Sequence, residues 1–324
     1  MLTTDYAQSA PELTGAYLTQ VWQTLPATIR PALFLSAPRL SADLDCEITI
    51  ASETFQHTGS FKFRAAYNLL SSIPQTHIIT ASSGNFGQAI AYASSLLGKS
   101  CTVVMPSTSA QVKINAVQAY GGTVDLVDVR KIGRDARVRQ LLEDHPDAFR
   151  AQAYDDYRVV AGNSTLGQEI LAAGPFDTII APVGGGGLSS GIVVARDHLG
   201  SATEVVGAEP LPGNDAARSL RQGRLIPNEQ EPATIADGAR TLSLGHINWE
   251  ILQRGLADII EVPDEQTLSA LRHYFLYNNL KVEPTGALTL GTILTRPERF
   301  RGKRVCCIVS GGNVDPAVYA QALA

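Results

Sequence analysis

The chain alternates short apolar runs with segments whose apolar residues recur at helical spacing. "THIITAS" has the length and β-branched content of a buried strand. The segment after it places Phe86, Ala89, Ile90, Ala93, Leu96 and Leu97 on a helical stripe before Gly98 stops it. "SCTVVMP" predicts a second strand, a helix follows from about Ala110 to Tyr120, and Gly121-Gly122 leads into the strand-like "TVDLVDV". The same style returns in the second half, with "FDTIIAPV", then glycines and a helix, then "TEVVGAEP", and near the end "RVCCIVSGGNVD". Such alternation predicts an α/β chain of parallel sheets with helices on both faces, in which ligands gather at the carboxyl ends of the strands. No internal repeat or low-complexity linker interrupts the pattern. The polar stretch "RKIGRDARVRQLLEDHPDAFR" separates the early block of strands from the later one.

Composition sharpens this picture. A length of 324 residues, with 44% hydrophobic and 18% charged residues, suits one large or two ordinary domains around a substantial core. The net charge of -5, without a Lys/Arg-rich run, gives no electrostatic footprint for nucleic acid or an anionic membrane. Apolar runs such as "DTIIAPVGGGGL" fall well short of the about 18 residues a membrane-spanning helix needs. The start, "MLTTDYAQSAPELTG", shows neither the basic nor the apolar region of a secretory signal. Cys46, Cys101, Cys306 and Cys307 have neither metal-ligand spacing nor a disulfide-framework pattern. A reduced, cytoplasmic setting is the expectation.

Three stretches carry candidate chemistry. In "PVGGGGLSSG", Gly184 to Gly187 lie between a strand and a helix, so bare backbone can wrap an anion with its N–H groups while the helix start adds a favourable dipole. No Lys-Ser/Thr pair closes it as a P-loop, and Ser189 or Ser190 stands where the dinucleotide fingerprint has its last glycine. A tight turn that binds nothing is the plainer alternative. "ASSGNFG" offers two hydroxyls, a glycine and an amide at another helix start, where Ser82 or Ser83 would equally serve as an N-cap. In "GSFKFR", Lys62 opens the helical "FKFRAAYNLL" between Phe61 and Phe63. An ordinary solvated lysine packs its stem on such rings. A desolvated one loses its preference for the charged form and becomes a nucleophile suited to a Schiff base.

Together these stretches resemble the fold-type II pyridoxal-phosphate enzymes, above all the serine/threonine dehydratases and serine racemases. The resemblance runs in order through "TGSFKFRAA", "SSGNFGQAIAYA", "AYDDYRVVAGNSTLGQEI", "VGGGGLSSGI", "GAEP", "TIADGA", "VEPTGA" and "VSGGNVD". It implies a tryptophan synthase β-like α/β fold of two domains, each with a mainly parallel sheet flanked by helices. The large cofactor-binding domain would span 1–76 and 157–324 and the small domain 77–156. It also implies that Lys62 holds pyridoxal phosphate, that Phe61 lies against the pyridine ring and that Asn85 bonds the ring's phenolic oxygen. Gly184, Gly185, Gly186, Gly187 and the Leu188 amide would hold the phosphate, and Ser310 would face the ring nitrogen with Glu283 nearby. A serine hydroxyl does not stabilise a pyridinium as a carboxylate would, so the ring stays largely neutral, which suits prompt β-elimination. The expected reaction is dehydration of a β-hydroxy amino acid, such as L-threonine or L-serine, to a 2-oxo acid and ammonia. Ser82, Ser83, Gly84, Asn85 and Phe86 would grip the substrate. Ser83 occupies the place of the opposite-face acid/base of the racemases, which makes racemisation a side activity.

The resemblance further implies a homodimer and a Mg²⁺ or Ca²⁺ site. Glu209 in "GAEP" and Asp215, six residues later, match the carboxylate pair used by serine racemases and some dehydratases, with the Gly213 carbonyl between them. Two surface loop carboxylates are the plain alternative. The chain also departs from the family. Phe86 stands where histidine is usual, Ala65 where glycine is usual, and "AGNST" replaces "AGQGT". Arg134, fourteen residues after Tyr120, falls where serine racemases carry an arginine able to reach an acidic side group. Its fork matches a carboxylate, so 3-hydroxyaspartate is the alternative substrate, beside serine- or aspartate-type racemisation; a surface arginine is the plain reading. A β-replacement synthase is a more distant alternative, since those usually show "TSGNTG" where this chain has "SSGNFG".

Overall fold

The computed structural model describes residues 12–82 and 84–324. Its strands in chain order are β1 (Leu33–Ser36), β2 (Glu47–Ser52), β3 (His77–Ala81), β4 (Ser100–Pro106), β5 (Thr123–Val127), β6 (Phe149–Arg150), β7 (Thr178–Pro182), β8 (Glu204–Pro210), β9 (Asp258–Val262) and β10 (Arg304–Val309). They form a six-stranded sheet ordered β1-β2-β10-β7-β8-β9 and a four-stranded sheet ordered β5-β4-β3-β6. The smaller sheet is parallel throughout. The larger is mixed, because the four-residue edge strand β1 runs antiparallel to β2.

Burial on both faces explains why the strands read as unbroken apolar runs rather than alternating ones. On β10, Cys306 and Ile308 pack with Ile179, Ala181 and Val205 on one side, while Cys307 and Val309 pack with Ile180 and Val206 on the other. The helices Tyr157–Ala173 and Gly187–His198 cover the first face and Asp264–Asn278 and Pro284–Thr295 the second. In the smaller sheet Ile78, Val103 and Met105 meet the helices Lys62–Ser71 and Asn85–Leu96, and Ile79 and Val104 meet Arg134–Asp144. All four cysteines are free and buried. No helix among the described residues is long and apolar enough to cross a membrane.

Adjacency in the larger sheet builds the site. Because β2, β10 and β7 are parallel neighbours, their carboxyl ends open on one edge. There β2 leads through 53–61 to Lys62, β10 leads to Ser310, and β7 leads to Gly184–Gly187. From the smaller sheet, β3 brings Ser82 and the start of the Asn85–Leu96 helix to the same place.

Candidate active site

These strand ends line a cleft of about 1150 Å³. Lys62 is half-buried in it, at the first residue of its helix. Its Nζ donates to the Ala153 carbonyl at 3.1 Å and lies 4.9 Å from the Phe61 ring centroid and 5.7 Å from that of Phe86. Removal from water pushes the amine down to about 8, against a smaller opposing pull from Glu283. The aromatic neighbours border a partly desolvated amine. Two residues on, the buried Arg64 anchors the same turn. Its guanidinium forks onto Glu53 at 2.9 and 3.0 Å and onto Glu169 at 2.7 and 2.9 Å, and Nη2 also donates to the Arg30 carbonyl.

Gly184 to Leu188 line the wall of the cleft. Gly186 has φ of 91°, in the left-handed region that a side chain disfavours, and a Cβ on Gly185 would fall within the Tyr154 ring. The helix Gly187–His198 starts inside this bend, so its first amides lack helical partners and its positive dipole end meets the cleft. Ser310 is buried at the end of β10; its carbonyl accepts the Phe61 N–H at 3.0 Å, while its hydroxyl has no partner among the described residues. A desolvated amine, a cradle without Cβ atoms and an orphaned hydroxyl in one cleft fit the reactive aldehyde, phosphate and ring nitrogen of pyridoxal phosphate.

The remaining expected residues fall into three groups. Asn85 Nδ2 donates to both Glu283 oxygens at 3.0 Å, and its Oδ1 accepts from Asn313 Nδ2 at 2.8 Å. Burial and the charge of Asp237 push the Glu283 carboxyl up to about 8, with the Asn85 bond opposing. The Ser82 hydroxyl accepts the Gly87 N–H at 3.0 Å, capping the Asn85–Leu96 helix chemically although Gly84 holds the N-cap position. Ser83 lies outside the described residues. Phe86 is buried against the cleft. Arg134, the half-buried first residue of its helix, lines the cleft and has no ion-pair partner among the described residues, whereas nearby Arg150 is held by Asp135 at 2.9 Å. Sequence reading assigned no role to Tyr154 or Asn313. Tyr154 carried one signal, its place in the "AYDD" block, and Asn313 lies just past "SGG".

Glu209 and Asp215 are not surface carboxylates: both are buried. The Glu209 oxygens accept the Ala216 and Ala217 N–H groups at 2.8 Å each; those of Asp215 accept from Asn228 Nδ2 at 2.8 Å and the Leu244 N–H at 3.0 Å. Burial and the Asp215 charge raise Glu209, and burial raises Asp215 to about 6. Each oxygen keeps a lone pair, and the donor type suits a hard cation. Among the described residues no group of three or more His, Cys, Asp or Glu gathers around them. Backbone carbonyls, Gly213 among the candidates, and water would complete any coordination shell.

Comparison with known proteins agrees with this geometry. The family model described as pyridoxal-phosphate dependent enzyme matches residues 26–311. The chain is 38% identical over 289 residues to an L-threo-3-hydroxyaspartate ammonia-lyase of Pseudomonas sp, covering 88% of this chain and 90% of that one. It is 35% identical over 294 residues to a serine racemase of Schizosaccharomyces pombe, covering 89% and 90%. Among solved structures, a threonine deaminase of T.th. superposes with a TM-score of 0.88 at 36% identity, covering 93% of this chain and 98% of that one.

Proposed function

The chain belongs to the pyridoxal-phosphate dependent enzyme family, and we propose that it eliminates water from a β-hydroxy amino acid to release a 2-oxo acid and ammonia. The observation that carries this reading is Ser310, whose buried hydroxyl has no partner among the described residues and would leave a pyridine nitrogen facing it without the carboxylate that keeps such a ring protonated. Bound in the cleft, pyridoxal phosphate supplies an electron sink for the bond to the substrate's α-proton. Lys62 Nζ would hold the cofactor and, when free, would take that proton; burial brings it down to about 8, which leaves a large neutral fraction at mildly alkaline pH. The N–H groups of Gly184 to Leu188 would hold the phosphate, Phe61 would flank the ring, Asn85 would bond its phenolic oxygen, and Ser310 would face its nitrogen with Glu283 nearby. Ser82, Gly84 and Phe86 frame the helix start that receives the substrate carboxylate, and Ser83 keeps the opposite-face proton role. In net terms the β-hydroxyl would leave as water with a proton equivalent to the α-proton taken by Lys62, and one water would return in hydrolysis to release ammonia and the 2-oxo acid. We assign Glu209 and Asp215 a divalent cation, supported by two buried oxygen donors that repel each other. The domain division at 77 and 156 is supported by sheet membership, since β3 to β6 form the smaller sheet.

A second reading concerns the substrate. Arg134 lacks an ion-pair partner among the described residues and faces the cleft, which favours a substrate with a second carboxylate, 3-hydroxyaspartate, over serine or threonine. The test compares kcat/KM for L-serine, L-threonine and the 3-hydroxyaspartate diastereomers in wild type and Arg134→Ala. A charge-assisted contact is worth roughly ten- to a hundredfold. If Arg134 binds the distal carboxylate, the variant loses that factor on 3-hydroxyaspartate and keeps its serine rate. Equal effects on all substrates return Arg134 to a surface role, and no 2-oxo acid from any of them rejects the elimination itself.

A further inference from the structure

The cradle's amides face the cleft only if their peptide planes are held. Asn163 in "AGNST" and Asn248 in "HINWE" lie on the helices Tyr157–Ala173 and His246–Gly255. Both are fully buried, and neither lines the cleft. Asn248 Nδ2 donates to the Gly185 carbonyl at 2.8 Å and to the Tyr154 carbonyl at 3.0 Å. The Gly245 N–H is a second donor to Gly185, at 3.1 Å. Asn163 Nδ2 donates to the Gly187 carbonyl at 3.0 Å. The orientation of the Asn248 amide follows from its neighbours, because two carbonyl acceptors require it to present nitrogen.

In a trans peptide the C=O of one residue and the N–H of the next point in opposite directions. Drawing the Gly185 oxygen back from the cleft therefore turns the Gly186 N–H toward it, and drawing back the Gly187 oxygen does the same for the Leu188 N–H. Each asparagine leaves its own Oδ1 without a partner among the described residues. A leucine of similar size would fill the space without burying an unpaired oxygen, so packing does not account for the amides.

We infer that Asn163 and Asn248 are positioning residues for phosphate: they aim the Leu188 and Gly186 N–H groups at a phosphate monoester without touching it. This rests on the reading of Gly184 to Leu188 as the phosphate cradle. The full-length chain, stripped of cofactor, is titrated with pyridoxal 5′-phosphate and with pyridoxal, which shares the aldehyde and lacks the phosphate. The ratio of the two dissociation constants isolates the phosphate contribution. Wild type should strongly favour the phosphorylated form. In Asn248→Leu and in Asn163→Leu the ratio should fall about tenfold or more, the loss expected for one charge-assisted hydrogen bond, with pyridoxal affinity nearly unchanged. The smaller changes Asn248→Ala and Asn163→Ala repeat the measurement should a leucine disturb folding. A wild-type ratio near one removes the cradle reading itself. A large wild-type ratio that survives in the variants overturns this inference alone. Equal weakening of both ligands also overturns it, because the asparagines are then merely structural.

Discussion

At Lys62 and Glu283 burial acts on opposite charges and drives both toward neutrality, the amine down to about 8 and the carboxyl up to about 8. The consequences for stability have opposite signs. Glu283 holds its proton in the folded chain after it would lose it unfolded, so its contribution is complete below the usual value of 4.5 and is lost as pH rises through about 8. Lys62 releases its proton early, so its contribution is present above 10.5 and is lost as pH falls through about 8. The combined contribution of these two groups in the cofactor-free chain should therefore be smallest near pH 8, with limbs of up to about 1.4 kcal/mol per pH unit for each group. Urea unfolding over a pH series checks this. Glu283→Gln should flatten the acid limb and Lys62→Met the alkaline one, and a Glu283→Gln curve parallel to wild type between pH 5 and 8 would contradict the assignment.

Among the elements, the buried parallel strands and the turns after them were legible, because β-branched runs ending in glycine or serine have few other solutions. "HIITA", "CTVVM" and "VCCIV" all became strands. The edge pair was not legible. β1 has only four residues, exposed at both ends, and its antiparallel pairing with β2 leaves no local trace. The helix Pro284–Thr295 was equally hidden, since it is covered on nearly every side and "PTGALTLGTILT" shows no polar stripe. Candidate site residues with unusual local chemistry, the lysine between rings and the glycine run, stood out in the sequence. Tyr154, Asn163 and Asn248 did not, because they act through contacts set by tertiary packing. The anchor of the Lys62–Ser71 helix belongs to this hidden class. Arg64→Met would leave the buried Glu53 and the half-buried Glu169 without their cation, a loss expected at about 3–5 kcal/mol. Arg64→Lys should recover only part of it, since an ammonium does not fork onto two carboxylates. Denaturant midpoints measure both, and a midpoint unchanged in Arg64→Met would show that the network does not hold the helix.

Across the whole molecule the cleft draws on both sheets, and the carboxylate pair connects to it by a traceable route. Asp215 accepts the Leu244 N–H at 3.0 Å, and the adjacent Gly245 N–H donates to the Gly185 carbonyl of the cradle at 3.1 Å. A cation on Glu209 and Asp215 would relieve their repulsion and hold Asp215 ionised and in place, so the segment 244–245 would support the cradle more firmly. Occupancy at a hundred times the dissociation constant stabilises the folded chain by about 2.7 kcal/mol, a shift of several degrees in Tm for a chain of this size. Exhaustive chelation should therefore lower Tm and also weaken pyridoxal phosphate binding, and Mg²⁺ or Ca²⁺ should restore both. Asp215→Asn should respond to neither chelator nor metal. Its amide would be expected to accept the Leu244 N–H through its oxygen, so the cradle support is retained in part while the cation site is lost. If wild type keeps its Tm and its cofactor affinity after chelation, the carboxylates cap the Asp215–Gln222 helix and the 244–245 segment without metal, as their four N–H contacts permit.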